Sequence, residues 1–454
     1  MEQIEKYILD FSVLIWGTPL LILLLGGGLF FMLYSRLTPV RYIGHAIDIL
    51  RGKYDDPEEA GQINHFQALS TALAATVGMG NISGVAVAIT SGGPGAIFWM
   101  WVSAMIGVTT KFFTGTLAVM YRGKDDKGQI QGGPMYIITE GLGKKWKPLA
   151  LFFALTGMVA VFPIFQSNQL TQVFRDVVLI PNGVNTGFGT DLITGLIISA
   201  FMAVVIFGGI KRIGKVTARI VPLMVVIYVV CVLFIIFSHP DKLVMATKLI
   251  FTDAFRADAV LGGAIGTIII TGIKRAAFSN EAGIGTAPLA HGAAKTNEPV
   301  REGLVAMLGP IVDTLIVCTM TALAILVTGV WQNGNSDGIT LTAEAFDTAM
   351  PGIGPYILIL CVLFFALSTM FAFPYYGSKC ATFLFGTRSQ IPYNVLSVAS
   401  ATLAAVVSID VVIAFIDSAY ALMAFPNMTA ALILSPKVIH ATKDYFHRLK
   451  TKQM

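Results

Sequence analysis

Six residues, Thr76-Val77-Gly78-Met79-Gly80-Asn81, stand in the middle of an apolar run over 66–90. The run is long enough to cross a bilayer, which takes about 20 residues. Gly78, Gly80 and Gly84 weaken a helix at mid-depth, and Asn81 and Ser83 place polar atoms there. Backbone that unwinds in hydrocarbon leaves N–H and C=O groups unpaired, and it persists only where it lines a cavity or meets a ligand. The N-terminal ends of half-helices attract anions, and freed carbonyls suit cations such as Na+. This is the chemistry for holding a zwitterion beside an alkali ion. A second polar pair, Ser368-Thr369, interrupts the apolar stretch 358–373. Its adjacent hydroxyls either offer hard oxygen ligands to a cation or bond back to the preceding turn. Gln166, with Asn168 and Gln169, lies toward the end of another apolar run, where it either contacts substrate or marks the run's end.

These residues need membrane helices to position them. The chain of 454 residues is 55% hydrophobic and 13% charged, against about 25% charged in soluble domains. Its class is an all-α polytopic membrane protein in one transmembrane domain. Eleven spans are expected, at 13–34, 66–90, 96–120, 148–174, 190–209, 217–237, 258–273, 303–329, 354–376, 393–409 and 414–435. The acidic leader and long first apolar run argue against a cleaved signal peptide. Lys and Arg crowd one set of loops, including Arg36, Arg41, Arg122, Lys124, Lys211, Lys274, Arg275, Lys295, Arg301 and the tail, while the opposite set holds only Lys6, Arg175, Lys242, Lys248 and Arg256. By the positive-inside rule the crowded set is cytoplasmic. That places the N-terminus outside and the C-terminus inside, as an odd number of spans requires.

Ten spans follow the first, as sets of five at 66–237 and 258–435. Five is odd, so the second set enters in the opposite orientation, the arithmetic of an inverted repeat. The first helix of the second set is then expected to be broken too. It reads Gly262-Gly263-Ala264-Ile265-Gly266-Thr267, with Thr271-Gly272 beyond. Carbonyls at Gly266, Thr267 and Thr271 are expected to meet an ammonium. Matched glycine-interrupted segments point to a transporter site, although glycines also let membrane helices pack closely. The polar segment 36–65 is expected to lie along the interface, and the acidic loop 331–354 to be a lid or a solvated loop.

Other chemistries fall away. The glycine spacing at 78–84 is wrong for a dinucleotide fingerprint, and no strand precedes it. No Walker lysine, nucleophile arrangement or metal cluster appears, so no enzyme, nucleic-acid partner or obligatory protein partner is expected. The four cysteines form no disulfide framework. Lys111 and Asp313, ionisable at membrane depth, are either functional or engaged in snorkelling and structural pairing.

From Gly80-Asn81-Ile82-Ser83-Gly84 through Ser91-Gly92-Gly93-Pro94-Gly95 the chain resembles the alanine or glycine:cation symporters of prokaryotes. Gly132-Gly133-Pro134-Met135-Tyr136, the block Phe278-Ser279-Asn280-Glu281-Ala282-Gly283-Ile284-Gly285-Thr286, and Asp313-Thr314 extend the match over most of 66–382. The resemblance implies a LeuT-like inverted 5+5 repeat after one extra N-terminal helix at 13–34. It also implies Na+-coupled uptake of small neutral amino acids (H+ in some relatives) across a prokaryotic cytoplasmic membrane. By the same resemblance Thr76, Gly78, Gly80 and Asn81 face substrate or ion, and Ala74, Val77, Ser368 and Thr369 form a sodium site. Phe373, one turn beyond Thr369, then lines the substrate pocket.

The sequence departs from that family's usual pattern at three places. Phe373 stands where relatives carry Trp, and Thr114 and Ser378 stand where they commonly carry Glu. A Phe for a Trp widens a pocket wall, so side chains somewhat larger than alanine's are expected to fit. The reading is a sodium-coupled importer of alanine, glycine, and D-alanine or serine. Its alternatives are a proton-coupled or ion-independent exchanger and a channel, although these spans lack the repeated charged or carbonyl-filter pattern of a channel.

Overall fold

A computed structural model describes residues 2–256, 264–334, 336, 338–406 and 410–451, without the side chains of 2–6, 9, 264–267 and 410–413. The chain is almost wholly helical, as a lipid-exposed backbone must be to satisfy its own polar groups. The all-α class holds; one two-residue antiparallel pair, Gly123–Lys124 with Ile130–Gln131, lies in a loop. Among the described residues eight helices are long and apolar enough to cross a membrane, or nine if the bent pair His65–Thr76 and Gly80–Gly92 is one span. Ala264–Asn280 and Gln390–Ala404, at 17 and 15 residues, are the expected spans that fall short of that length.

The first broken helix starts at a reciprocal cap. Asn64 accepts from the Gln67 N–H at 2.8 Å, and Gln67 accepts from the Asn64 N–H at 3.2 Å. Its first half, His65–Thr76, packs between Gly209–Ser238 and Gly354–Phe385. Ala96–Met120 carries both Ala264–Asn280 and Pro299–Ala306 on its flank.

Three expectations are corrected here. The second broken helix is continuous over Ala264–Asn280, through Gly266, Thr267 and Thr271, and its break comes later, at 281–286. Gly262 and Gly263 lie outside the described residues. Lys274 and Arg275 belong to that helix and not to a loop, because a single charged turn inside an apolar helix looks like a loop when only hydropathy is read. The segment 331–354 contains a helix, Gly338–Ala349, that buries Leu341, Ala345 and Phe346 and packs against Gly80–Gly84.

One end of the bundle is sealed by polar bonds. Ile63 pairs with Ala294 in a parallel bridge, and the Lys295 N–H donates to the Ile63 carbonyl at 2.6 Å. Arg122 donates to the carbonyls of Gly292 (2.9 Å), Ala60 (3.1 Å), Thr296 (2.8 Å) and Ala294. Just inside, His65 and His291 both hydrogen-bond the buried Glu302 carboxylate through Nδ1. Neither the start of the first broken helix nor the segment after the second break is free at this end.

Candidate functional site

The first break is local chemistry. The Val77 N–H closes the last regular turn onto Leu73 at 2.7 Å, and Val77 itself is extended (φ −76°, ψ 92°). The Gly78 N–H, which a continuous helix would give to Ala74, instead donates to Asn81 Oδ1 at 2.8 Å. The Ala74 carbonyl therefore loses its helical donor, and the two halves bend apart by 56°. Gly78 allows a close approach here: a Cβ would lie 2.7 Å from Thr369 Oγ1, so any larger residue must displace that hydroxyl.

The second break uses positive φ. Glu281 (φ 56°), Gly283 (φ 92°) and Gly285 (φ 108°) turn the chain between Asn280 and the short helix Ala287–His291. Asn280 Oδ1 accepts from the Ala282 N–H at 3.0 Å, and Asn427 donates to the Gly283 carbonyl at 2.7 Å, so the unwound peptides stay paired.

One buried carboxylate ties the two breaks together. Asp313 accepts from Asn81 Nδ2 at 2.8 Å, from the Ser279 hydroxyl at 2.6 Å and from the Thr314 hydroxyl at 2.8 Å. Asn81 is wholly buried in this knot and does not line the cavity beside it.

That cavity measures about 60 Å3. At roughly 10–15 Å3 for one water on the same measure, it has room for a few waters or one small amino acid. Thr76, Gly78, Gly80, Gln166, Thr369 and Phe373 are all in its lining. Gln166 Oε1 is buried there without a hydrogen-bond partner, an acceptor that an ammonium could satisfy. Thr271 is not among the lining residues, and Gly266 and Thr267 fall in the stretch whose side chains lie outside what the structure describes. Thr271 is taken up in packing, since a Cβ on Gly92 would meet its side chain at 3.1 Å.

The residues named for sodium lie directly behind Gly78. Ala74, Val77 and Ser368 are fully buried, and Thr369 reaches the cavity. The Ser368 and Thr369 hydroxyls both donate to the Phe365 carbonyl, at 2.9 and 3.1 Å. Back-bonding and cation binding are therefore compatible: with the hydrogens turned away, the oxygen lone pairs are left for a cation. With the released Ala74 carbonyl, this donor set suits a hard alkali ion.

Sequence reasoning passed over Phe165, Phe278, Glu281, Asp417 and Tyr420, all in the lining. Glu281 accepts from the Thr286 hydroxyl and presents a carboxylate at the break. The overlooked signal was an ionisable residue in an apolar run, which both Glu281 and Asp417 supply.

Comparison with known proteins places this geometry. The profile of the sodium:alanine symporter family matches residues 1–454. A transporter of Haemophilus influenzae is 42% identical over 456 residues, covering 98% of this chain and 97% of its own. The sodium/alanine symporter AgcS of Methanococcus maripaludis is 42% identical over 437 residues, covering 95% of each chain. Among solved structures, MhsT in complex with L-phenylalanine superposes with a TM-score of 0.59 at 13% identity, covering 84% of this chain and 98% of that one. That similarity establishes the LeuT-like fold.

Proposed function

Because the chain belongs to the sodium:alanine symporter family, a family of sodium-coupled amino-acid transporters and not of enzymes, we propose that it imports small neutral amino acids by alternating access. Alanine and glycine are the expected substrates, with D-alanine and serine next. The observation that carries this reading is the cavity between the two breaks, with an alkali-ion donor set sharing its Thr369 wall. In this reading Na+ binds the Ala74 and Val77 carbonyls and the Ser368 and Thr369 hydroxyls. The substrate carboxylate meets the ion and the backbone N–H groups from Gly78 to Gly80, where a half-helix begins. Its ammonium meets Gln166 Oε1 and the Glu281 carboxylate, and its side chain rests on Phe373.

Coupling follows from geometry. Gly78 touches both the ion wall and the substrate wall, so the ion sets the backbone that the carboxylate reads. Each ligand then raises the other's affinity by the same factor. Inverted repeats of five helices at 66–237 and 258–435, after the extra helix at 13–34, would rock about this site, with the N-terminus outside and the Arg122 end facing the cytoplasm.

Uptake of radiolabelled alanine into proteoliposomes tests the reading, with an inward Na+ gradient against K+ or a proton gradient. Uptake driven by Na+ alone is expected. Proton-driven uptake would overturn the ion assignment and keep the substrate site. In Thr369→Ala the Na+ concentration for half-activation should rise about tenfold, the effect of losing one good ligand contact, while maximal substrate affinity changes less. Unchanged Na+ activation in that variant would remove Thr369 from the site.

A further inference from the structure

The central cavity adjoins a larger one, of about 290 Å3, on the side of Trp16. The two share Met79, Gly80, Phe165, Phe278 and Asp417. The larger space is closed by Lys274 and Arg275 from Ala264–Asn280 and by Ser12 and Trp16 from the N-terminal segment. Two cations and one carboxylate at membrane depth therefore face one space. Charges so placed ordinarily pair with each other. These do not: no hydrogen bond and no ion pair within 4.0 Å joins the side chains of Lys274, Arg275 and Asp417.

Trp16 holds the N-terminal segment against this wall. Its indole N–H donates to the Asp417 carbonyl at 3.1 Å. Its ring lies 6.3 Å from the Phe278 ring, edge-on, and Lys274 Nζ sits 5.9 Å from its centre. Lys274 has thus traded a carboxylate partner for an aromatic face, a weaker and more easily surrendered interaction.

We propose that this vestibule is an outer recognition site for α-amino acids on their way to the central cavity, with the N-terminal segment as its aromatic wall. The substrate carboxylate meets Lys274 and Arg275, and its ammonium meets Asp417. Separated, unpaired charges of both signs are what a zwitterion completes and what a purely apolar or singly charged solute leaves unsatisfied. Asp417 borders both spaces and Glu281 lines the inner one, so each space offers the ammonium a carboxylate. The vestibule is also several times larger than the central cavity, so it selects for the amino-acid head group and leaves side-chain size to Phe373. The extra N-terminal helix becomes part of the substrate path and not merely a peripheral anchor. This proposal rests on the transport reading above.

The test uses the full chain in proteoliposomes and in detergent, with alanine as probe. Lys274→Met combined with Arg275→Met should raise the alanine concentration for half-maximal uptake about tenfold or more, as removal of charge-assisted contacts does, and by more than it lowers the maximal rate. Lys274→Arg should restore most of the loss. Half-saturation within twofold of wild type in the double variant overturns the proposal and leaves the transport reading standing. A wild-type chain that neither binds nor imports any amino acid overturns both. A second readout does not depend on the double variant folding. Alanine should change tryptophan emission in Gly78→Leu, whose central cavity is filled, and should not do so in Gly78→Leu with Trp16→Phe. Absence of that difference likewise overturns the proposal.

Discussion

The two broken helices arrive at one site by different means. The first, His65–Thr76 followed by Gly80–Gly92, breaks without any positive φ: Asn81 takes the Gly78 N–H, and the glycine matters because Thr369 leaves no space for a Cβ. The second breaks through Glu281, Gly283 and Gly285, all with positive φ. Glycine therefore has two roles here, close approach in one helix and backbone conformation in the other. A third role confuses the reading of the second helix. Gly272 lies inside the continuous part, where a Cβ would come 2.8 Å from that of Trp99, so it serves helix packing alone.

The largest test removes what the two breaks share. Asp313→Ala leaves the donors of Asn81, Ser279 and Thr314 without their buried acceptor, and thermal unfolding in detergent should report a loss of about 4 kcal/mol. A small loss would mean that the breaks stand independently. Next, Gly285→Ala forces an alanine to φ 108° and its Cβ to 2.6 Å from Phe153. It should cost about 3 kcal/mol of stability, read as a lowered midpoint with binding altered only in proportion. Gly78→Ala reverses that pattern. The chain should fold, since its φ is ordinary, but the Na+ concentration for half-activation should rise about tenfold as Thr369 is displaced. If Gly78→Ala unfolds the protein while Gly285→Ala spares it, the distinction between close approach and conformation fails. The smallest effect belongs to Gly84→Ala. A Cβ there meets nothing within 4 Å, so the unfolding midpoint should hold or rise, by up to about 1 kcal/mol from helix propensity.

The same contrast accounts for what the sequence disclosed. The first break was legible because glycines and an asparagine interrupt a long apolar run, and Ala96–Met120 fell where hydropathy put it. The LeuT-like fold and the family were carried by the motif blocks. The second break was placed too early, among the glycines from Gly262 to Gly272, because a packing glycine and an unwinding glycine read alike. The actual break, Glu281 to Thr286, lay inside a motif block quoted for its resemblance and not for its backbone. Lys274 and Arg275 were sorted with the loops, and Asp417 passed as part of an apolar span, since which charges face one cavity depends on helices far apart in sequence. The helix Gly338–Ala349 was hidden by its polar residues, because its burial against Gly80–Gly84 is tertiary.

The Arg122 seal has a consequence for timing. One guanidinium bonds four carbonyls from two loops, so its bonds cannot be released one after another at small cost: a shift of that single side chain loosens them together. Opening this end is then close to all-or-none, with a large enthalpy to supply before any water enters to repay it in entropy. Where that opening limits the proposed transport cycle, turnover should fall steeply on cooling, more steeply than the diffusion of an amino acid into the vestibule at the other end.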